Sequence, residues 1–361
     1  GSAGAAGAAD PGQLPTYLAA GRPVLALVPA SSAVACELRR AGEAGRRRGR
    51  GRRRNPARTR QAPAAYGARF GGRRSHVVKR AIFVCSQKGG AGKSTFARGL
   101  VRALRYESFT VAAYDADGAV GQLLQYEGAR DRKGALLPRQ NPRVGCGDFD
   151  IRDEDDRDSL LNALTDEPPV VLFDLPGGVV GELGKVLDEG EAPRGLFGEY
   201  RLRGYAITIV VVMTPVKASV RTVAHSIASF GDAVDYLVVK NLAFGDPDAF
   251  INFDGCAQGP VKLPESDGKQ ALLALGGQIL HMPRLDPRTY AWLDVWDLNF
   301  TDAIEGRPPQ RRLPDADRAR LKRWFGEFDL MLAPARHLLG FDQAIDEPEP
   351  PPRPAPARAA V

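Results

Sequence analysis

The nine residues QKGGAGKST, Gln87 to Thr95, carry the densest chemistry in the chain. Three glycines (Gly89, Gly90, Gly92) and Ala91 lead into Lys93, Ser94 and Thr95. Backbone without Cβ atoms can curl and aim successive N–H groups at one anion. A helix opening at Lys93 adds the positive end of its dipole. This pattern after a strand suits a nucleoside triphosphate. Lys93 is placed to reach the β- and γ-phosphates, Ser94 to put its hydroxyl on Mg²⁺, and Thr95 to touch the α-phosphate. On its residue type alone, Lys88 is a loop lysine five positions too early to be the phosphate lysine.

Carboxylates and amides at further strand ends complete the set. Asp115 closes the run TVAAYD, and Asp117 follows two residues later, so strand alternation turns both to one side. Two acids at a strand end also serve simply to cap the next turn. PVVLFDLPGG delivers Asp174 to a strand end, where it could hold Mg²⁺ through water. Gly177 and Gly178 then let a backbone N–H approach a γ-phosphate and sense its loss. Asn241 ends YLVVKN, and its amide offers a donor and an acceptor to adenine. Pro283 follows the next strand, in HMPRLDPRT, and by itself reads as an ordinary loop proline. Asn241 is followed by Leu-Ala-Phe rather than a guanine-reading [NT]KxD tetrad, which favours ATP.

Alternating elements must hold these groups. The near-continuous apolar runs 81–86, 110–115, 169–174, 206–213, 235–241 and 277–283 read as strands buried on both faces. Stretches 94–105, 156–164, 216–230 and 288–296 read as helices. Strand followed by helix predicts an α/β fold, a doubly wound, mostly parallel sheet with helices on both faces. Ligands bind such sheets at the carboxyl ends of the strands. That domain spans 80–345. It includes a helix over 314–332 whose stripe is Leu321, Trp324, Phe325, Phe328 and Leu332. Residues 242–268 interrupt the alternation as an insertion of unassigned role.

Composition divides the 361 residues. Residues 1–80 hold 17 Lys and Arg against three acids, whereas the remainder holds 33 basic and 40 acidic residues. The basic balance therefore belongs to the head. Nine arginines between Arg39 and Arg54 repel one another and cannot pack. The head, 1–79, is expected to be low in complexity and disordered, or to act as a phosphate-binding arm. Within it, PTYLAAGRPVLALVPASSAVACELRRAGEAG resembles a donor-site fragment of GT-B glycosyltransferases, with Thr16 where those enzymes usually carry glutamate. A fragment that short buries no core, and no activity is expected from it. Residues 346–361 form a Pro-rich tail. Four dispersed cysteines suggest neither a disulfide framework nor a zinc site, and fit a reducing compartment. No uncharged apolar stretch is long enough to span a membrane.

With Lys88 in place, KGGAGKS resembles the deviant Walker A motif of the ParA/MinD superfamily. The likeness covers roughly residues 80–300 and is strongest at this loop. It implies a SIMIBI-type P-loop NTPase fold, slow ATP hydrolysis stimulated by an adaptor protein, and a homodimer that sandwiches two ATP molecules. Lys88 would reach across that dimer to the partner's nucleotide. Asp117 would position the attacking water, Asp115 would support the metal, and Asn241 and Pro283 would hold adenine. Gly118 and Ala119 stand where the family usually carries Pro-Gln. The resemblance implies a cytoplasmic bacterial protein, nucleoid-associated if it binds DNA non-specifically, in plasmid or chromosome partition or conjugative transfer. Arg311, Arg312 and the 314–332 helix would offer the basic surface. Positioning of a polysaccharide, secretion or division machine, or a catalytically weak scaffold, is the alternative. No membrane anchor is expected.

Overall fold

The computed structural model describes residues 78–86, 89–118, 121–186, 194–257, 262–306 and 312–342. The readings of the head, of Lys88, Ala119 and Arg311, and of the Pro-rich tail lie outside these residues.

Seven strands form one sheet: β1 (Lys79–Cys85), β2 (Val111–Asp115), β3 (Gly147–Asp148), β4 (Val170–Asp174), β5 (Tyr205–Met213), β6 (Asp235–Asn241) and β7 (Gln278–Met282). Their order is β3-β2-β4-β1-β5-β6-β7, and every pairing is parallel. All six expected strands form, with ends within two residues of the reading. The two residues of β3 are too few to leave a pattern. The doubly wound order reverses at β1, with β4 on one side and β5 on the other, and the glycine loop leaves β1 at that reversal.

The helices are α1 (Lys93–Tyr106), α2 (Gln122–Glu127), α3 (Ser159–Asn162), α4 (Arg194–Leu202), α5 (Lys217–Phe230), α6 (Ile251–Asp254), α7 (Asp267–Ala274), α8 (Pro287–Val295), α9 (Phe300–Glu305) and α10 (Asp315–Leu332). They cover both faces, as the alternation demands. Ile82, Val84, Leu172, Val210 and Val239 pack beneath α1, α8, α9 and α10. Ala81, Phe83, Phe173, Ile209 and Val238 pack beneath α4, α5 and α7. The helix expected over 156–164 shrinks to the single turn of α3, because the acidic stretch before it folds into turns. Helices α2, α6 and α9 span only four to six residues each and were not anticipated; α4 and α7 were missed as well.

The insertion is anchored rather than free. Phe250 and Phe253 are fully buried. Asp254 of α6 pairs with Lys240 of β6 and with Lys269 at the start of α7. The stripe of α10 is buried as expected, with Trp324 and Phe328 stacked at 4.9 Å. Three basic residues around its start are paired, while Lys322 and Arg323 are exposed. Arg312 and Arg318 both pair with Asp315, and Arg320 pairs with the buried Asp317. Among the described residues, no helix is long and apolar enough to cross a membrane.

α1 and α10 meet at Gly99. A Cβ there would lie 2.6 Å from the Phe328 ring, which is itself buried against Phe96 and Trp324. Gly326, in α10, faces open space. Gly326→Ala should therefore gain about 0.5–1 kcal/mol of helix propensity. Gly99→Ala should lose about 1–2 kcal/mol through overpacking. Urea unfolding of the two variants checks the opposite signs.

Candidate functional site

The loop after β1 enters α1 through left-handed glycines, Gly90 at φ +76° and Gly92 at φ +96°. An L side chain rarely takes either conformation. Gly92 is also the N-cap of α1. No side chain caps the helix, and no acid lies in its first turn. Its amino end, with the associated positive potential, is thus kept for an external anion. Lys93 is buried, and Ser94 and Thr95 are half-buried. A cavity of about 370 Å³ opens beside the loop. Of the anticipated residues, Gly90, Gly92, Thr95, Asn241 and Pro283 line it, joined by Phe244, Met282 and Tyr290.

Strand register brings the acids together. Asp115 of β2 lies directly opposite Asp174 of β4, and both are buried at the carboxyl end of the sheet. Asp115 accepts hydrogen bonds from Asp117 N–H at 3.1 Å and Leu124 N–H at 2.9 Å. Gly121 is required beside it, since a Cβ there would fall 2.2 Å from the carboxylate. Burial pushes the Asp115 carboxyl up, against those backbone donors. Asp174 rises to about 7, chiefly through burial and then through the charge of Asp115, while Ser94 and Lys93 oppose the rise. Ser94 lies close enough to hold the Asp174 carboxyl down, and Asp174 Oδ1 is buried and finds no hydrogen-bond partner among the described residues.

That orphaned oxygen, beside a hydroxyl and a second carboxylate, fits a hard divalent cation with oxygen ligands. Ser94 and Asp174 could hold such a cation, with Asp115 behind them. Among the described residues, no group of three or more His, Cys, Asp or Glu could hold a metal ion alone.

Asp117 sits apart from this pair, half-buried. An antiparallel bridge to Asp150 brings up Arg152, whose guanidinium holds Asp117 Oδ1 at 2.9 Å. Arg152 leaves no local signal along the chain, because it arrives from 35 residues away. Gly118 has φ +61°, a value closed to proline, which accounts for the departure from Pro-Gln at this point. Gly178 also has positive φ, and its N–H donates to the Ser86 carbonyl at 3.1 Å. This turn sets Gly177 beside the carboxyl end of β1. Asn241 is buried and hydrogen-bonds within the chain, to Ala91 and Ala243. The Pro283 carbonyl accepts from Trp324 Nε1 at 2.8 Å, which ties the cavity rim to α10.

Residues 82–316 match the family described as the CobQ/CobB/MinD/ParA nucleotide binding domain. Among solved structures, the chain is similar to a nucleotide-binding protein in complex with ADP from Archaeoglobus fulgidus (20% identity over 61% of this chain and 87% of that one, TM-score 0.37). It is also similar to the septum site-determining protein MinD with Mg-ADP from Pyrococcus horikoshii (15%, 69% and 96%, TM-score 0.39). A third is a ParA family ATPase from Chlorobium tepidum (15%, 71% and 99%, TM-score 0.40). No curated protein matches.

The acid pair has a consequence for stability. A carboxyl raised in the folded state stabilises fully below its unfolded value near 3.8, and that contribution is lost as pH climbs through about 7. Magnesium-free protein should lose stability across this window. Asp174→Asn should flatten the loss, melting on the order of 5 °C above wild type at pH 8 and close to it at pH 5. Calorimetry at the two pH values checks this. Equal melting points at pH 8 would contradict the buried charge pair.

Proposed function

Because this chain belongs to the CobQ/CobB/MinD/ParA nucleotide-binding family, we propose that it binds ATP with Mg²⁺ and hydrolyses it slowly, as a switch that dimerises in the ATP state. The observation that carries this reading is the uncapped amino end of α1, opened by left-handed Gly92 and set beside the Ser94–Asp174 pair with its orphaned oxygen. A phosphate chain supplies the charge this end lacks, and the cation supplies what Asp174 lacks. Magnesium, when bound, would neutralise phosphate charge. Lys93 and the loop N–H groups bind and orient the phosphates. Asp117 positions a water for attack on the γ-phosphorus as the bond to ADP breaks, once released from Arg152. Gly177 senses loss of the γ-phosphate. Lys88, supplied from a second copy, offsets charge developing at the reaction centre.

On the finer role, we place the protein with the switches of plasmid or chromosome partition or conjugative transfer, stimulated by an adaptor protein and active in the bacterial cytoplasm. One observation favours a second reading. Arg312, Arg318 and Arg320 are paired with Asp315 and Asp317, while Phe244, which lines the cavity, and Ile251 of the insertion are exposed. This arrangement suits a protein cargo better than DNA. Gel shifts on random duplex DNA separate the two: ATP-dependent binding supports the DNA role, and absent or ATP-independent binding supports the protein cargo.

Lys93→Ala should weaken nucleotide binding by roughly 100-fold, the loss of one strong charge-assisted bond. Lys88→Ala should bind nucleotide as a monomer, without dimer formation or hydrolysis. Asp117→Ala should accumulate as an ATP-bound dimer. Sedimentation with Mg-ATP, alongside phosphate release, checks all three. Full turnover by Lys88→Ala would remove the trans role of that lysine.

A further inference from the structure

Asp117, placed above to orient the attacking water, is already engaged. Its Oδ1 accepts from Arg152 Nη1 at 2.9 Å. The backbone that carries Arg152 is fixed on both sides. Phe149 and Ile151 are buried. Phe149 N–H donates to the Asp115 carbonyl at 3.0 Å, Gly118 N–H to the Phe149 carbonyl at 3.2 Å, and Ile151 N–H to the Ala116 carbonyl at 3.2 Å. Arg152 N–H donates to Asp150 Oδ1 at 2.9 Å. The side chain of Arg152, 48% exposed, is the part free to swing away. An oxygen engaged by a guanidinium has less capacity left to accept from a water.

A second arginine extends the connection. Arg157 donates from Nε to the Ile151 carbonyl at 3.2 Å and from Nη2 to the Arg152 carbonyl at 3.3 Å. Its Nη2 also lies 3.6 Å from Glu182 Oε2. Glu182, which pairs with Lys185 as well, follows the Gly177–Gly178 turn on the stretch that leaves β4. Val179 and Val180, between that turn and Glu182, are buried, which ties the two together.

We propose that Arg152 is a positioning residue that latches Asp117 away from its water, and that Arg157 and Glu182 tie this latch to the turn at Gly177 and Gly178. A γ-phosphate that draws the turn inward shifts Glu182, then Arg157 and the carbonyls of residues 151 and 152, and so frees the Asp117 carboxylate. The inference rests on the ATPase reading above and names the regulation of that site.

The test uses the full chain with Mg-ATP and no adaptor. Arg152→Ala should raise the rate of phosphate release about two- to fivefold, the range of an ion pair open to water, with KM for ATP unchanged. Arg152→Lys keeps a charge within reach and should restore the wild-type rate. Damage to the fold would slow turnover, so the direction of change separates the latch from a structural role. Glu182→Gln should also raise the rate, and adding it to Arg152→Ala should bring no further gain. A slower or unchanged Arg152→Ala would overturn the latch. Gains that multiply in the double variant would overturn its tie to Glu182. Urea unfolding without nucleotide provides an independent arm. Across Arg152→Ala, Asp117→Asn and their double variant, the unfolding constants should show a coupling of about two- to fivefold, and additive effects would overturn the pair. Wild type and Arg152→Ala both silent in phosphate release would defeat the ATPase reading, and the unfolding cycle would still decide the pair.

Discussion

Two carboxylates buried side by side are the constraint around which the rest is arranged. Parallel register alone sets Asp115 of β2 opposite Asp174 of β4. Low-dielectric surroundings make such a pair costly, and the charge of Asp115 raises Asp174 further. Backbone N–H groups from Asp117 and Leu124 satisfy Asp115. Asp174 has Ser94 on one side and an unsatisfied oxygen on the other. The pair thus stores electrostatic tension at the carboxyl end of the sheet.

Close approaches around this pair dictate where glycine must stand. Gly121 admits the Asp115 carboxylate, Gly92 admits the Asn241 amide, and Gly118 turns the chain toward Asp150. Asn241 also fastens the loop to the first turn of the insertion, so the loop and residues 242–244 share one side chain. The insertion is in turn held to β6 by the Lys240–Asp254 ion pair. A protein that docked on the exposed Phe244 would therefore press on an element directly coupled to the phosphate loop.

The helical layer over α1 is equally committed. Arg98 is fully buried, between the rings of Tyr126 at 3.6 Å and Phe300 at 4.3 Å, and donates to the Leu298 carbonyl. Burial lowers its proton affinity, and the charge of the half-buried Glu127 opposes that. It joins α1 to α2, the helix that follows Asp117, and to α9. Trp324 of α10 hydrogen-bonds to the rim at Pro283. The cavity rim and helices α1, α2, α9 and α10 thus belong to one packed layer.

Much of this was legible in the amino-acid sequence. Continuous β-branched runs fixed the parallel strands, since only a strand buried on both faces tolerates them, and the glycine–lysine–serine spacing marked the phosphate loop because local backbone freedom suffices to build it. The apolar stripe of α10 was equally plain. Tertiary structure decided the rest. Arg152 reaches Asp117 only through a bridge 35 residues distant. Asn241 meets Ala91 only because β6 and the loop after β1 end side by side. Local pattern determines which elements form and which residues end them. Long-range register and side-chain direction determine which of those residues meet, and no spacing along the chain encodes that.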